Sequence, residues 1–249
     1  MDYTLEINSN RGKLNVTWKD LNALAKYANT QSGFYLVNSR CLDSSLFLEH
    51  FQRWNQMFWN QRQSQGIFDL PDNATIIDIG SGMSVVDLLL YSYIPNSKFY
   101  LIDNEGWDEN FVNPEIPRVC FSENYPIYNS WEPVHDAITA SNFDKNRFIF
   151  QNTFEPFPEN VDVIMSYLSW CFHYPKNTYW ERSIHSLKKG GKLILDVRPL
   201  KDQDIIGEIS EELKSKPVKF AFPILPEFVD NYPVADPNAS GYRCMWEKK

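Results

Sequence analysis

The stretch Ile76-Ile77-Asp78-Ile79-Gly80-Ser81-Gly82 decides the fold. Ala74–Ile79 is a short apolar run, which is typical of a buried parallel strand. The glycines that follow predict a turn, and Ser84–Tyr93 predicts a helix with Ser84 as its N-cap. Glycine accepts positive φ and lets the backbone approach a ligand closely. The free N–H groups at the start of the helix can then donate hydrogen bonds to that ligand.

An acidic residue stands where a nucleotide would need one. Lys98–Ile102 predicts the next strand, and Asp103 follows it 21 residues after Gly82. A carboxylate at this place accepts hydrogen bonds from both ribose hydroxyls in dinucleotide sites. Val85 occupies the third glycine position of a dinucleotide fingerprint, however, and the chain has no P-loop motif. Asp78 before the turn favours a ligand with an ammonium group, because a carboxylate repels a pyrophosphate.

The rest of the chain continues the alternation of strands and helices. Two helices are predicted, at Tyr179–Leu187 and Ile205–Leu213, and Gly190-Gly191 is the stop signal after the first. Further strands are predicted at Phe148–Gln151, Val161–Met165, Lys192–Val197, Val218–Phe222 and Tyr242–Trp246. This alternation predicts a mainly parallel sheet with helices on both faces, and ligands bind at the carboxyl ends of such strands.

Two segments depart from this rhythm. Apolar residues recur at helical spacing around Leu21–Ala28 and around Phe47–Phe58, and Ser44 or Ser45 is the predicted N-cap residue of the second helix. This spacing predicts an N-terminal helical cap over residues 1–70. Residues 71–249 then form the main domain. Its long, aromatic-rich insert at about 106–146 is expected to combine a lid or substrate loop with an ordinary helix over Trp131–Ala140, capped by Ser130.

Composition and charge limit the partners. Hydrophobic residues make up 43% of the 249 residues, as in a folded globular protein, and the formal net charge is −8. The negative charge disfavours a nucleic-acid partner. No leader or membrane-spanning run is recognised, and the four separated cysteines have no metal-binding spacing. We therefore expect a cytoplasmic protein with no metal and no membrane partner; the oligomeric state stays open, a homodimer included.

Together these motifs resemble the class I S-adenosylmethionine-dependent methyltransferases over roughly residues 70–249. Asp78 to Gly82 resembles the first motif of that family, and Gly241 to Trp246 resembles its antiparallel last strand. The resemblance implies an α/β fold with a seven-stranded, mostly parallel sheet, helices on both faces and an antiparallel last strand. It also implies S-adenosyl-L-methionine as the cofactor, with these binding residues: Asp78, Gly80, Ser81, Gly82, Asp103, Asn104, Thr153, Phe154 and Ser166. Because Thr153 stands where many members have Asp, the backbone N–H of Phe154 is the alternative donor to adenine.

The loop after the fourth strand is expected to carry the chemistry. In the resembled family it lies beside the methyl group, and here it contains His173, whose usual pKa suits a general base. A structural histidine packed among aromatic residues is the equal alternative. Trp170, Tyr174 and His135 are the candidate substrate-binding residues, with burial in the core or an exposed helix position as the ordinary alternatives. The resulting hypothesis is methylation of a small molecule, at a sugar or phenolic hydroxyl.

Three other functions remain open on the sequence. A non-catalytic S-adenosylmethionine-binding module or partner subunit would retain the same cofactor motif. A protein or RNA methyltransferase would use the helical cap and the insert to hold a macromolecule, and the acidic charge disfavours only the RNA. A nicotinamide-dependent oxidoreductase is disfavoured because the third glycine is missing.

Overall fold

The computed structural model describes residues 2–21, 24, 44–64, 70–103, 131–167, 169–171, 174–197, 204–222 and 241–249. The strands are β1 (Tyr3–Ser9), β2 (Gly12–Trp18), β3 (Thr75–Ile79), β4 (Lys98–Ile102), β5 (Phe148–Gln151), β6 (Val161–Ser166), β7 (Leu187–Val197), β8 (Val218–Phe222) and β9 (Gly241–Glu247). The α-helices are α1 (Ser44–Ser64), α2 (Val85–Tyr93), α3 (Glu132–Ala140), α4 (Trp180–Ser186) and α5 (Ile205–Leu213).

Seven of the described strands form one sheet in the order β5-β4-β3-β6-β7-β9-β8. The pairs from β5 to β7 are parallel, whereas β9 runs antiparallel to both β7 and β8. The predicted fold class is confirmed, and each predicted strand is present. β7 begins earlier than predicted, at Leu187, because the glycine pair belongs to the strand. The Gly190 N–H donates to the Lys248 carbonyl at 2.8 Å, and the Lys248 N–H donates to the Gly191 carbonyl at 2.9 Å.

Two apolar cores form on opposite faces of the sheet, because alternate residues of a strand point to opposite sides. Ile76 of β3 lies in the core shared with the N-terminal elements, α2 and α3, and Ile77 lies in the core shared with α4 and α5. A fully buried aliphatic side chain stabilises a fold by about 1.5–3 kcal/mol. The N-terminal elements therefore contribute to the same core as the parallel strands.

The N-terminal part contains a β-hairpin that was not predicted. β1 and β2 pair antiparallel, and side chains of α1 bond the outer edge of β1. The Asn8 N–H donates to Gln56 Oε1 at 2.8 Å, and Gln56 Nε2 donates to the Asn8 carbonyl at 3.0 Å. Gln52, one helical turn earlier, bonds the backbone of Glu6 in the same way. These glutamines satisfy backbone groups that an edge strand would otherwise expose.

The predicted helix at Phe47–Phe58 is confirmed within α1, and the alternative of an ordinary helix in the insert is confirmed by α3. Most of the predicted helix at Leu21–Ala28 and the insert from residue 104 to residue 130 lie outside the described residues. The N-cap of α3 is Trp131, so the predicted cap at Ser130 is wrong by one residue. Among the described residues, no helix is both long enough and apolar enough to cross a membrane.

Candidate functional site

The glycine turn connects the end of β3 to α2 at the carboxyl edge of the sheet. Gly80 has φ +73° and Gly82 has φ +52°, so both adopt the left-handed conformation that glycine favours. The Gly80 N–H donates to the Ile102 carbonyl at 2.7 Å, which fixes the turn against the end of β4. The predicted strand, turn and helix are therefore present, and the turn is held by its neighbouring strand.

The predicted cap of α2 is wrong in its chemistry. Ser84 does precede the helix, but its φ is +50° and its side chain makes no capping hydrogen bond. A serine caps a helix from an extended conformation, in which its oxygen reaches the N–H groups of the first turn. Here the Ser84 carbonyl accepts from the Leu88 N–H at 2.9 Å, and the Ser84 hydroxyl is buried without a hydrogen-bond partner among the described residues.

Asp103 lies against the glycine turn. Its Oδ2 accepts a hydrogen bond from the Gly82 N–H at 2.9 Å, and its own N–H donates to the Gln151 carbonyl at 3.1 Å. The carboxylate is thus fixed between the turn and the end of β5. An ionised carboxylate has about four acceptor sites on its two oxygens, and the Gly82 N–H occupies one of them. Asn104, the next predicted residue, lies outside the described residues.

Asp78 forms a buried pair of acids with Asp87, a residue that was not predicted as part of the site. Asp78 is 4% exposed, Asp87 is fully buried in the first turn of α2, and Asp78 Oδ1 has no hydrogen-bond partner among the described residues. Burial raises the pKa of Asp78 to about 7. Burial, together with the neighbouring Asp78, raises the pKa of Asp87 well above its usual range. An ammonium group beside Asp78 would favour its ionised form.

The turn after β6 is fastened to the glycine turn by serine side chains. Ser166 is fully buried, and its hydroxyl donates to the Ile79 carbonyl at 2.7 Å and accepts from the Trp170 N–H at 2.9 Å. A Cβ atom on Gly80 would lie 2.1 Å from the Ser169 Oγ, so the two turns are in direct contact. Ser166 therefore has a clear structural role beside the turn. Ser81 lies within the turn, and its buried hydroxyl has no partner among the described residues.

The candidate catalytic and substrate-binding residues differ in their burial and in the elements that they contact. Trp170 is fully buried in the core, and its indole N–H donates to the Lys176 carbonyl at 2.8 Å, which favours the structural alternative. Tyr174 is half-buried and forms a β-bridge with Trp170. His135 is exposed on α3, with its ring 4.3 Å from that of Phe150 on the edge strand β5. His173 lies outside the described residues.

The segment predicted to contact adenine is a tight turn that follows β5. The Phe154 N–H donates to Asn152 Oδ1 at 3.2 Å, and the Phe154 ring is 65% exposed. Adenine could bind this N–H only by replacing that bond. Arg182 of α4, which was not predicted, donates to the Thr153 carbonyl at 2.6 Å and the Glu155 carbonyl at 3.3 Å. Arg182 thus ties this turn to α4.

The strand order and the antiparallel β9 distinguish the sheet from the dehydrogenase type of nucleotide-binding domain. The chain has the fold of class I S-adenosylmethionine-dependent methyltransferases. Within this fold, the glycine turn, Asp78 and Asp103 occupy the strand ends that the resemblance assigned to the cofactor.

The matches of this chain to known proteins are structural matches at low sequence identity. A scan against protein-family models gave no match, and a search of curated proteins also gave none. Among the solved structures that match is a precorrin-6y C5,15-methyltransferase from Geobacter metallireducens, at 14% identity and a TM-score of 0.45, covering 77% of this chain and 89% of that chain.

Two further matches have TM-scores of 0.46. M. jannaschii TYW2 in complex with AdoMet is 12% identical and covers 76% of this chain and 75% of its own. A SAM-dependent methyltransferase from Aquifex aeolicus is 15% identical and covers 76% of this chain and 90% of its own. At such identities the fold assignment rests on this chain's own strand order, and fold alone does not select a substrate.

Proposed function

We propose that the protein binds S-adenosyl-L-methionine at the glycine turn and transfers its methyl group to a small molecule. The observation that carries the proposal is the hydrogen bond of 2.9 Å from the Gly82 N–H to Asp103, beside the buried Asp78. It brings the turn and two acids together at the carboxyl edge of the sheet, where ligands bind in open α/β folds.

The residues present fit the proposed cofactor. Asp78 Oδ1, which is buried without a partner among the described residues, suits the ammonium of the methionyl group. We infer that Asp103, which is bonded to the glycine turn, accepts the ribose hydroxyls, and that the segment around Phe154 contacts adenine. When bound, S-adenosyl-L-methionine supplies an electrophilic methyl group on a sulfonium.

The contribution of the protein to the transfer is alignment and proton removal. Ser166 and Ser169 hold the turn after β6 directly against the glycine turn, so an acceptor bound by the loop after β6 would lie beside the cofactor. Alignment of this kind supplies a large part of the rate of a displacement reaction. A hydroxyl acceptor also needs a base, and His173 remains our proposal for that role. Methylation of a sugar or phenolic hydroxyl is likewise a proposal.

The decisive experiment is calorimetric titration with S-adenosylmethionine and S-adenosylhomocysteine, with NAD and NADP as controls. We expect micromolar binding of the first pair alone. Asp103→Asn should weaken that binding by at least tenfold, which corresponds to about 1.4 kcal/mol. Asp72→Asn, a change at an exposed acid just before β3, is the matched control and should leave the affinity unchanged.

The outcomes separate the candidate functions. Failure of both sulfur nucleosides to bind would refute the proposed cofactor. Cofactor binding without methyl transfer to small-molecule acceptors would identify a binding module, and transfer only to a protein or an RNA would replace the small-molecule acceptor. Loss of turnover in His173→Ala with retained cofactor affinity would support a base; full activity would exclude it.

A further inference from the structure

Arg62, in the last turn of α1, reaches a tyrosine at the end of β6. Its Cζ lies 4.2 Å from the centroid of the Tyr167 ring, and the Cζ of Arg243 lies 4.7 Å from the centroid of the same ring. Phe58, one turn before Arg62 on α1, lies within 5.4 Å of the Arg62 guanidinium. The structure therefore brings two arginines to one aromatic side chain that directly follows the fourth parallel strand.

The strand order places this cluster away from the ribose site. Asp103 follows β4, whereas Tyr167 follows β6, and Arg243 lies on β9 opposite Asp196 of β7. β3, with the glycine turn, lies between these two halves of the sheet. The cluster is thus on the side of the glycine turn where the acceptor would lie, and not on the side of the nucleoside.

The two arginines differ in how well their hydrogen-bonding groups are satisfied. Arg243 donates from Nε and Nη2 to the two oxygens of Asp196, each at 2.7 Å, and this buried pair is complete. Arg62 is 5% exposed, its Nε has no hydrogen-bond partner among the described residues, and none of those residues forms an ion pair with it. A buried polar group without a partner destabilises the fold, and a charged one does so more strongly.

The nearby carboxylates among the described residues do not accept hydrogen bonds from Arg62. Asp196 is bonded to Arg243 through both oxygens, and Asp78 lies beside Asp87; both attract Arg62 only at longer range. Burial lowers the pKa of Arg62 to about 10, so the side chain stays a cation at neutral pH. The hydroxyl of Tyr167 is also buried with no partner among the described residues. The Arg62 side chain contacts the Tyr167 ring, and each of the two residues thus carries a buried donor without an acceptor among the described residues.

We propose that Arg62 and Tyr167 bind an anionic group, a carboxylate or a phosphate, carried by the methyl acceptor. The proposal rests on the proposed methyltransferase function and narrows its substrate class to acidic small molecules. The planar guanidinium matches the two oxygens of such a group, and the tyrosine hydroxyl adds a third donor. An uncharged sugar or phenol would leave the Arg62 guanidinium without a directly bonded anion.

The test uses acetate and inorganic phosphate as probes on the whole chain, at constant ionic strength, with and without S-adenosylhomocysteine. Thermal unfolding should show saturable stabilisation by at least one anion, and Arg62→Met should weaken the apparent affinity about tenfold. Arg53→Met, on the same helix at an exposed position, is the matched control and should behave as the wild type. Tyr167→Phe removes only the hydroxyl and should weaken anion binding about threefold, which keeps the test usable if Arg62→Met fails to fold.

A second arm identifies the source of the anionic group. S-adenosylhomocysteine itself carries a carboxylate, so its affinity is measured for the wild type and Arg62→Met. Equal affinities support the acceptor assignment, and a loss of about tenfold would place the cofactor's own carboxylate at Arg62 and overturn it. Absence of saturable anion stabilisation in the wild type, or the same stabilisation in Arg62→Met, would also overturn it. Failure of S-adenosylhomocysteine to bind would instead refute the cofactor, while the anion arm without nucleoside still tests the cluster.

Discussion

Gly80→Ala should lower the free energy of unfolding more than the same change at Gly190, a glycine with a similar φ. Gly80 has φ +73° and Gly190 has φ +78°, so an alanine at either position must adopt a positive φ that strains an L-residue. That strain costs about 1–2 kcal/mol. A Cβ on Gly190 meets nothing within 4 Å, whereas one on Gly80 lies 2.1 Å from Ser169 Oγ and 2.5 Å from Ser169 Cβ. The overlap with a Cβ atom cannot be relieved by rotating the serine hydroxyl alone.

The difference in the free energy of unfolding between the two variants therefore measures how tightly the glycine turn packs against the turn after β6. Forcing a methyl group into a packed site costs about 1–3 kcal/mol, so Gly80→Ala should lose that much more free energy of unfolding than Gly190→Ala. Urea unfolding followed by circular dichroism gives both values. Calorimetry with S-adenosylhomocysteine should show weakened binding for Gly80→Ala only.

A rescue variant makes the reasoning refutable. Ser169→Gly removes the atoms that clash, so adding Gly80→Ala to it should cost no more than Gly190→Ala costs in the wild type. Equal losses for the two single alanine variants, or no rescue in the double variant, would show that the contact at Gly80 does not limit this turn.

Three further predictions concern other parts of the site. Ser166→Ala should lower the free energy of unfolding by about 1–3 kcal/mol, measured in urea, because it leaves the buried Trp170 N–H without its acceptor. An unchanged free energy of unfolding would contradict a structural role of the Ser166 hydroxyl. Asp87→Asn should flatten the pH dependence of stability between about pH 5 and about pH 8. The pKa values of Asp78 and Asp87 are raised in the folded state, so the protonated acids stabilise the fold fully below their unfolded pKa, and this contribution is lost as pH rises through about 7. The free energy of unfolding in urea is measured against pH, and the same pH dependence in the variant and the wild type would rule this out. Arg182→Met should weaken S-adenosylhomocysteine binding about fivefold, since the turn after β5 loses two hydrogen bonds. The protein should also lose part of its preference for S-adenosylhomocysteine over the inosine analogue. Calorimetry with Arg182→Lys as control checks both results, and an unchanged preference would exclude a positioning role for Arg182.

The parallel strands could be predicted because each is a short apolar run bounded by turn residues. Lys98–Ile102 and Phe148–Gln151 have the predicted bounds, because each is a short run of mainly apolar residues beside turn residues. The position of Asp103 at the turn followed from the same pattern. Local sequence thus determined the half of the site that is built from consecutive elements.

The hairpin was missed although its signal is present in the sequence. Leu5 and Ile7 alternate with polar residues, as do Leu14 and Val16, and this spacing is typical of half-buried strands. The helical spacing further along the chain led to a prediction of helix for the whole N-terminal part. Recognition of the alternation, with Gly12 at the turn, would have placed two strands there.

The contacts of Arg62 could not be predicted from the local sequence pattern. A basic residue in the last turn of a helix is ordinarily an exposed charge that interacts with the helix dipole. Arg62 is buried because α1 ends over the strand ends that carry Tyr167, a contact between residues far apart in the chain. Only the assembled sheet brings Arg243 to the same ring. The N-terminal helix is therefore more than a cover for the core: it supplies the one buried cation of this cluster, within the described residues, that has no carboxylate bonded to it.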